Sequence, residues 1–332
     1  MLSIKKYRIL IFIISLGLWW SCERDVTIEL PKNAEKLVVD GRIEQGQPPY
    51  VLLTKSVPYF DETSLEALEA SFVRDAQVSV FVEGTEFPLE LLCSDNIPPQ
   101  FLPQFAALIG SSPEQLGEVN YCIYTVPIED LLSGNVWVGE QGKTYRLQIK
   151  WQEELYEAST FIHEPIPFDS TWFIIEQYEQ FGYLHALLTD PDTVGNQYRF
   201  FARRINKDST GAPLDPTFIA DFGSAFDDQY FNGQEFEFNF RRGLPPGVIE
   251  EESTETTEPF FFAENDTVVY KFCTLDNPTY DFVRAMEVQF FSNGNPFAAP
   301  ADAPSNISNN ALGVWAGYGV HLDTIVCVER EP

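Results

Sequence analysis

The chain has 332 residues, with 21 Lys and Arg against 50 Asp and Glu, for a formal charge of −29. A field of that sign repels phosphate backbones and anionic headgroups, which argues against nucleic-acid binding and against peripheral adhesion to acidic lipid. Phe alone contributes 28 residues and Met only 2, a composition that favours sheets over helices.

Lys5, Lys6 and Arg8 open the chain, Ile9 to Trp20 form an apolar run broken only by Ser15 and Gly17, and Ser21 precedes Cys22. This is the pattern of a secretory signal whose cleavage leaves a lipidated cysteine, although Trp19 and Trp20 stand where such signals more often carry Leu and a small residue. The run is too short to cross a bilayer, which takes roughly 20 apolar residues. Residues 1–21 are therefore expected to be a lipoprotein signal peptide and Cys22 the lipid-bearing, palmitate-labelled residue. Removing 1–21 deepens the charge to −32. Residues 22–35 are polar, contain Pro31 and suit a tether. The 311 residues left after the signal exceed the ~250–300 at which single cores stop growing, so two domains are expected.

Lys36 to Ile43 and Tyr50 to Ser56 read as strands, Ser64 to Ala70 as a short helix, and Ala76 to Val82 as a third strand. Residues 94–120 look inserted: Pro98, Pro99 and Pro103 flank an apolar stretch from Phe105 to Ile109, and Ser112 with Pro113 would start another helix. Strands resume at Tyr121 to Pro127, then Lys143 to Trp151 and Leu155 to Ile162 form a hairpin. The pattern breaks at Pro165 and Pro167, where the domain boundary is placed. These strands predict an immunoglobulin-like β-sandwich over 36–164.

Beyond the boundary, Thr171 to Tyr178, Tyr183 to Leu188, Tyr198 to Ile205, Glu235 to Phe240 and Thr267 to Leu275 read as strands. A helix near 278–292 would start with Asn277 as cap and Pro278 at its first position, burying Tyr280, Val283, Ala285, Met286 and Phe290. Gly313 to Tyr318 and Val320 to Val328 look like closing strands. Residues 166–329 should thus form a second β-rich domain with one packed helix, making the chain mostly β.

No P-loop, dinucleotide fingerprint, zinc-protease helix or nucleophile elbow occurs, and the three histidines are scattered, His185 within an apolar strand. A catalytic role is not expected. Besides Cys22 there are Cys93, Cys122, Cys273 and Cys327, an even number in a compartment that permits disulfides. Three pairings are possible, and Cys93–Cys122 with Cys273–Cys327 is expected because each pair lies within one domain; four buried thiols are the alternative. Asp221, Asp227, Asp228 and Asn232 gather before Gly233 and form a candidate calcium site, the one cofactor expectation. Asn295, Phe297, Asn306 and Trp315 lie in an aromatic, amide-rich stretch that could meet a peptide, a glycan or a transporter rim, or else plug the core.

Cys22, the run Leu37-Val38-Val39-Asp40-Gly41-Arg42-Ile43, Asp75, Ala76 and Val78, Gly142, Thr144, Tyr145 and Leu147, Asn295-Pro296-Phe297, Pro300, Asn306-Ile307 and Ala311-Leu312-Gly313-Val314-Trp315 carry a resemblance over essentially the whole mature chain. By these residues the chain resembles the Bacteroidota lipoproteins grouped as domain of unknown function four-two-four-nine. The resemblance implies an outer-membrane lipoprotein encoded beside a TonB-dependent transporter, with no catalytic residues to carry over. The 94–120 segment departs from the shorter connection expected of the family. Glu23 and Asp25, with Arg24 between them, partly resemble the acidic signal for export to the cell surface, so cell surface and periplasmic face both stay open. The expected function is a non-catalytic accessory or ligand-capture component in nutrient uptake. The alternatives are a surface adhesion or envelope-structural lipoprotein and, third, a secreted hydrolase.

Overall fold

Period-two alternation places apolar side chains on one face of a strand, and the fold follows it closely. The computed structural model describes residues 35–57, 64–111, 116–178, 180–209, 211–243, 260–292 and 303–329. Strand β1 (Leu37–Glu44) sends Leu37, Val39 and Ile43 inward, and β2 (Tyr50–Lys55) returns antiparallel beside it. Helix α1 (Leu65–Ser71) starts at Ser64, whose hydroxyl accepts from the Ala67 N–H at 3.1 Å. β3 (Gln77–Val82) and β4 (Thr85–Cys93) form a hairpin about Glu83 and Gly84, both at positive φ. After α2 (Leu102–Ile109) come β5 (Cys122–Thr125), α3 (Ile128–Ser133) and the hairpin of β6 (Thr144–Trp151) with β7 (Glu154–Phe161).

β4 is a strand the sequence reading leaves out, because Pro88 interrupts it. Its first half pairs with β3 and its last residues with β5. Pro88 therefore sits where only one neighbour asks for a ladder bond. By changing partner along its length, β4 turns the sheet back on itself. Val39, Val51 and Leu53 thus share one core with Val80, Leu147 and Ile149.

The second half supplies β8 (Ser170–Tyr178), β9 (Phe181–Thr189), β10 (Gln197–Arg204), β11 (Ala225–Asp227), β12 (Glu235–Phe240), β13 (Phe262–Ala263), β14 (Thr267–Leu275), α4 (Asn277–Ser292) and β15 (Leu312–Val326). The two closing strands expected at the C-terminus are one long strand. Gly319 permits this: a Cβ there would lie 2.1 Å from the His163 carbonyl oxygen. Among the described residues, an eleven-stranded sheet runs β11-β10-β14-β15-β1-β2-β5-β4-β3-β6-β7, with β1 and β15 parallel, so it takes strands from both sides of Pro165. β12, β9, β13 and β8 form a smaller sheet, and its Phe173, Leu184, Leu188, Phe240 and Phe262 pack on Phe200, Tyr270 and Phe272 of β10 and β14. The protein is mostly β, with a large mixed sheet and one packed helix, and residues 35–332 cluster as one compact unit.

Two expectations about α4 change. Its N-terminal cap is Asp276, not Asn277: one carboxylate oxygen accepts from the Thr279 N–H at 3.1 Å, and the other accepts from the Thr160 hydroxyl at 2.8 Å and the Phe161 N–H at 3.1 Å. Its buried face carries Thr279, Val283 and Glu287, while Met286 and Phe290 are exposed. The reason is polar: Glu287 accepts from the Ser224 hydroxyl and the Gly223 N–H at 3.1 and 3.2 Å, which fixes the rotation of the helix. Phe290 then stacks on Phe222 at the rim, with ring centroids 4.2 Å apart.

The cysteines also divide. Cys93 and Cys122 stand directly opposite on β4 and β5, with Cα atoms 4.0 Å apart, and are bonded. Cys273 and Cys327 are separate buried thiols, contrary to the pairing expected. Cys273 opposes Val320 on β15, and Cys327 lies beyond Val326, which opposes Thr267. At ~3.3 Å per residue the two are about 20 Å apart along the ladder, far beyond disulfide reach. They also lie in different cores.

Candidate functional site: a cationic pocket on the main sheet

Arg42 stands in β1, Arg203 in β10 and Lys271 in the largely apolar β14. Cross-strand register decides where they meet. Tyr50 opposes Arg42, Phe201 opposes Lys271, and Leu322 of β15 opposes Lys271 from the other side. Because opposed residues share a face, these side chains gather on one side of the sheet. The helix α2 and Gly110 roof one side of a cavity of about 380 Å³, and the loop Pro216–Phe218 closes another. Phe105 and Ala106 of α2 anchor that roof by packing on Tyr50, Leu92 and Ile123. The segment tied off by Cys93–Cys122 is therefore part of the cavity wall.

The charges are unevenly matched. Lys271 Nζ donates to both Glu44 carboxylate oxygens, at 2.9 and 3.0 Å, and Arg42 Nη1 reaches Oε1 at 3.3 Å. Burial works to raise the Glu44 carboxyl, but the attraction of Lys271 and Arg42 outweighs it and holds the group below its usual range. Burial pushes the Tyr50 phenol well up. Aromatic faces support every cation: Arg42 lies 5.1 Å from the Tyr318 ring centre, Lys271 4.6 Å from Phe201, and Arg203 4.7 Å from Phe218. Such contacts stabilise a desolvated cation by up to about 2 kcal/mol.

Arg203 differs from the other two. Among the described residues it has no hydrogen-bond or ion-pair partner, and its Nε is buried without one. Burial lowers its pKa. The cavity thus holds three cations and one carboxylate, with one guanidinium unmatched, in a chain whose acids outnumber its bases more than twofold. This is binding chemistry for an anion.

The profile of the family described as Domain of unknown function (DUF4249) matches residues 23–322. The chain belongs to that family. No curated protein matches it.

The residues singled out from sequence lie elsewhere. Trp315 is fully buried in the first core, and its Nε1 donates to the Tyr145 carbonyl at 2.9 Å. Asn306 is bound to the backbone of Trp315: its Oδ1 accepts from the Trp315 N–H at 2.9 Å and its Nδ2 donates to the carbonyl at 2.8 Å. These bonds seat β15 against β6 and the 303–311 segment. Asn295, Phe297 and Cys22 lie outside the described residues.

The four residues of the calcium expectation are bonded within the protein. Asp221 accepts from Arg241 Nε at 2.7 Å, Asp227 from the Tyr280 hydroxyl at 3.2 Å, and Asp228 from the backbone N–H groups of Gly195 and Asn196. Asn232 closes a turn through its N–H to the Asp228 carbonyl. The carboxylates thus serve an ion pair to Arg241, a helix tyrosine and a turn. Among the described residues no group of three or more His, Cys, Asp and Glu side chains could hold a metal ion. His185 is buried, as its strand implies, beside Glu237 and stacked on Trp172. Sequence reading overlooked the pocket itself, although a lone Lys in Thr267–Leu275 was its visible signal.

Proposed function

We propose that this chain is an outer-membrane lipoprotein that captures a ligand without catalysing a reaction on it, as an accessory to a TonB-dependent transporter in nutrient uptake. The observation that carries the reading is the cationic, aromatic-walled cavity. It offers a half-buried, unmatched guanidinium to a ligand and is roofed by the disulfide-tied segment. The basic-apolar-Ser21-Cys22 start supports lipid anchoring, and family membership supports shared architecture with chains of the same kind.

The test uses the full chain in its native envelope. Palmitate should label the wild type and not Cys22→Ala, and affinity isolation from detergent-solubilised outer membranes should recover a TonB-dependent transporter in near-equal amount. Label that persists in Cys22→Ala, or isolation that recovers no transporter, refutes the reading.

A further inference from the structure

We propose that the cavity between α2 and the main sheet recognises an organic monocarboxylate with an apolar body, and that Arg203 supplies the principal anion contact. The proposal rests on the ligand-capture reading and specifies its ligand class. Three observations lead to it. Of the three cations lining the cavity, Lys271 and Arg42 converge on Glu44, whereas Arg203 has neither a hydrogen-bond nor an ion-pair partner among the described residues. A single free guanidinium matches one carboxylate through paired N–H donors. Around it stand Tyr50, Phe201, Phe218, Leu108 and Leu322, which would enclose a hydrocarbon body.

Glu44 decides between anions. It remains in the cavity with its carboxylate turned to Lys271 and Arg42, so a second full negative charge on the ligand would meet like-charge repulsion without a second free cation to offset it. A dianion such as phosphate is therefore disfavoured against a monocarboxylate. A cavity of about 380 Å³ also sits near the lower end of small-molecule sites, which suits a compact acid and not a polymer.

The experiment is titration calorimetry on the purified full-length lipoprotein in detergent. The probes are hexanoate, octanoate and 3-phenylpropionate, with 3-phenylpropionamide as neutral isostere and inorganic phosphate as competitor. At least one acid should bind saturably, the amide should bind at least tenfold more weakly, and phosphate should not compete at equal concentration. Arg203→Met should weaken the acid roughly 10- to 100-fold, the loss expected for a charge-assisted contact. Arg203→Lys should recover part of the affinity, which a merely structural arginine would not show. Both variants should keep the wild-type melting temperature in the absence of probe.

Binding by none of the acids, equal binding of acid and amide, unchanged affinity in Arg203→Met, or effective competition by phosphate each overturns the proposal. Should Arg203→Met unfold, Leu108→Trp, which fills the cavity from the α2 side, provides the second variant. It should abolish binding, and unchanged binding overturns the assignment of the cavity. Transporter recovery on the same preparation separates the two readings. Recovery without acid binding leaves the transporter-accessory role standing and removes the carboxylate; acid binding without recovery keeps the carboxylate site and removes the accessory role.

Discussion

Glu44 is the residue on which the pocket's stability turns, and Glu44→Gln tests that directly. Its carboxylate is the acceptor for Lys271, whose side chain is 7% exposed, and for Arg42, whose side chain is 26% exposed. Neutralising it leaves two cations without their carboxylate, one of them in the interior. Removing one member of a buried pair costs roughly 3–5 kcal/mol, because the stranded charge has lost its water as well as its partner. At ~2–4 °C per kcal/mol for a chain of this size, the variant should melt on the order of 10 °C lower at pH 7. Lys271→Met should cost less, since Glu44 keeps Arg42 at 3.3 Å and the methionine still fills the space on Phe201. The pH dependence has a definite sign. The folded carboxyl is held below its unfolded value, so its contribution is complete above about pH 4.3 and is lost as pH falls through the folded pKa. The gap between wild type and Glu44→Gln should therefore narrow on acidification. Thermal unfolding followed by circular dichroism measures all three. A Glu44→Gln midpoint within about 2 °C of wild type at pH 7, or a larger loss in Lys271→Met, refutes the reasoning.

Three further outcomes are expected. Replacing Cys93 and Cys122 by Ser opens a loop of sequence separation 29 and should cost roughly 3–4 kcal/mol in urea titrations, with faster proteolysis inside 94–120. Gly313 has a φ of +102° and lies where a Cβ would come 1.9 Å from the Val39 carbonyl oxygen, so Gly313→Ala should destabilise by at least about 2 kcal/mol; an unchanged denaturation midpoint would count against the β1–β15 pairing. Asp276→Ala removes the α4 cap and the bonds to Thr160 and Phe161, for about 2–4 kcal/mol, whereas Asp276→Asn should lose less than half of that.

Local structure was legible wherever a local cause produced it. Alternation located β1, β2, β6 and β14 to within a residue or so, and Ser64 marked the start of α1 through its hydroxyl. Pairing cysteines within one expected domain found Cys93–Cys122, but the same argument failed for Cys273 and Cys327. What escaped depended on partners remote in sequence. Pro88 hides β4 because a proline argues against a strand until its unpaired side is known. The α4 stripe was read from apolar residues alone, and it is Glu287, bonded to Ser224, that turns the helix so that Met286 and Phe290 face outward.

The pocket shows the same limit more sharply. Alternation tells which side of a strand a residue occupies, but not which strand lies beside it. Lys271 and Glu44 are 227 residues apart, and nothing local to either announces the other. They meet because β15 lies between β14 and β1, antiparallel to the first and parallel to the second. Glu44 stands at Tyr318, and Lys271 stands at Leu322 one turn of the pleat beyond Val320. The pairing that joins the chain's first described strand to its last is thus also what assembles the cations. Gly41 and Gly313 serve both ends: a Cβ on Gly41 would lie 2.7 Å from the Trp315 ring, and one on Gly313 would strike Val39. The Leu37–Ile43 and Ala311–Trp315 runs that carried the resemblance are therefore residues of the β1–β15 seam.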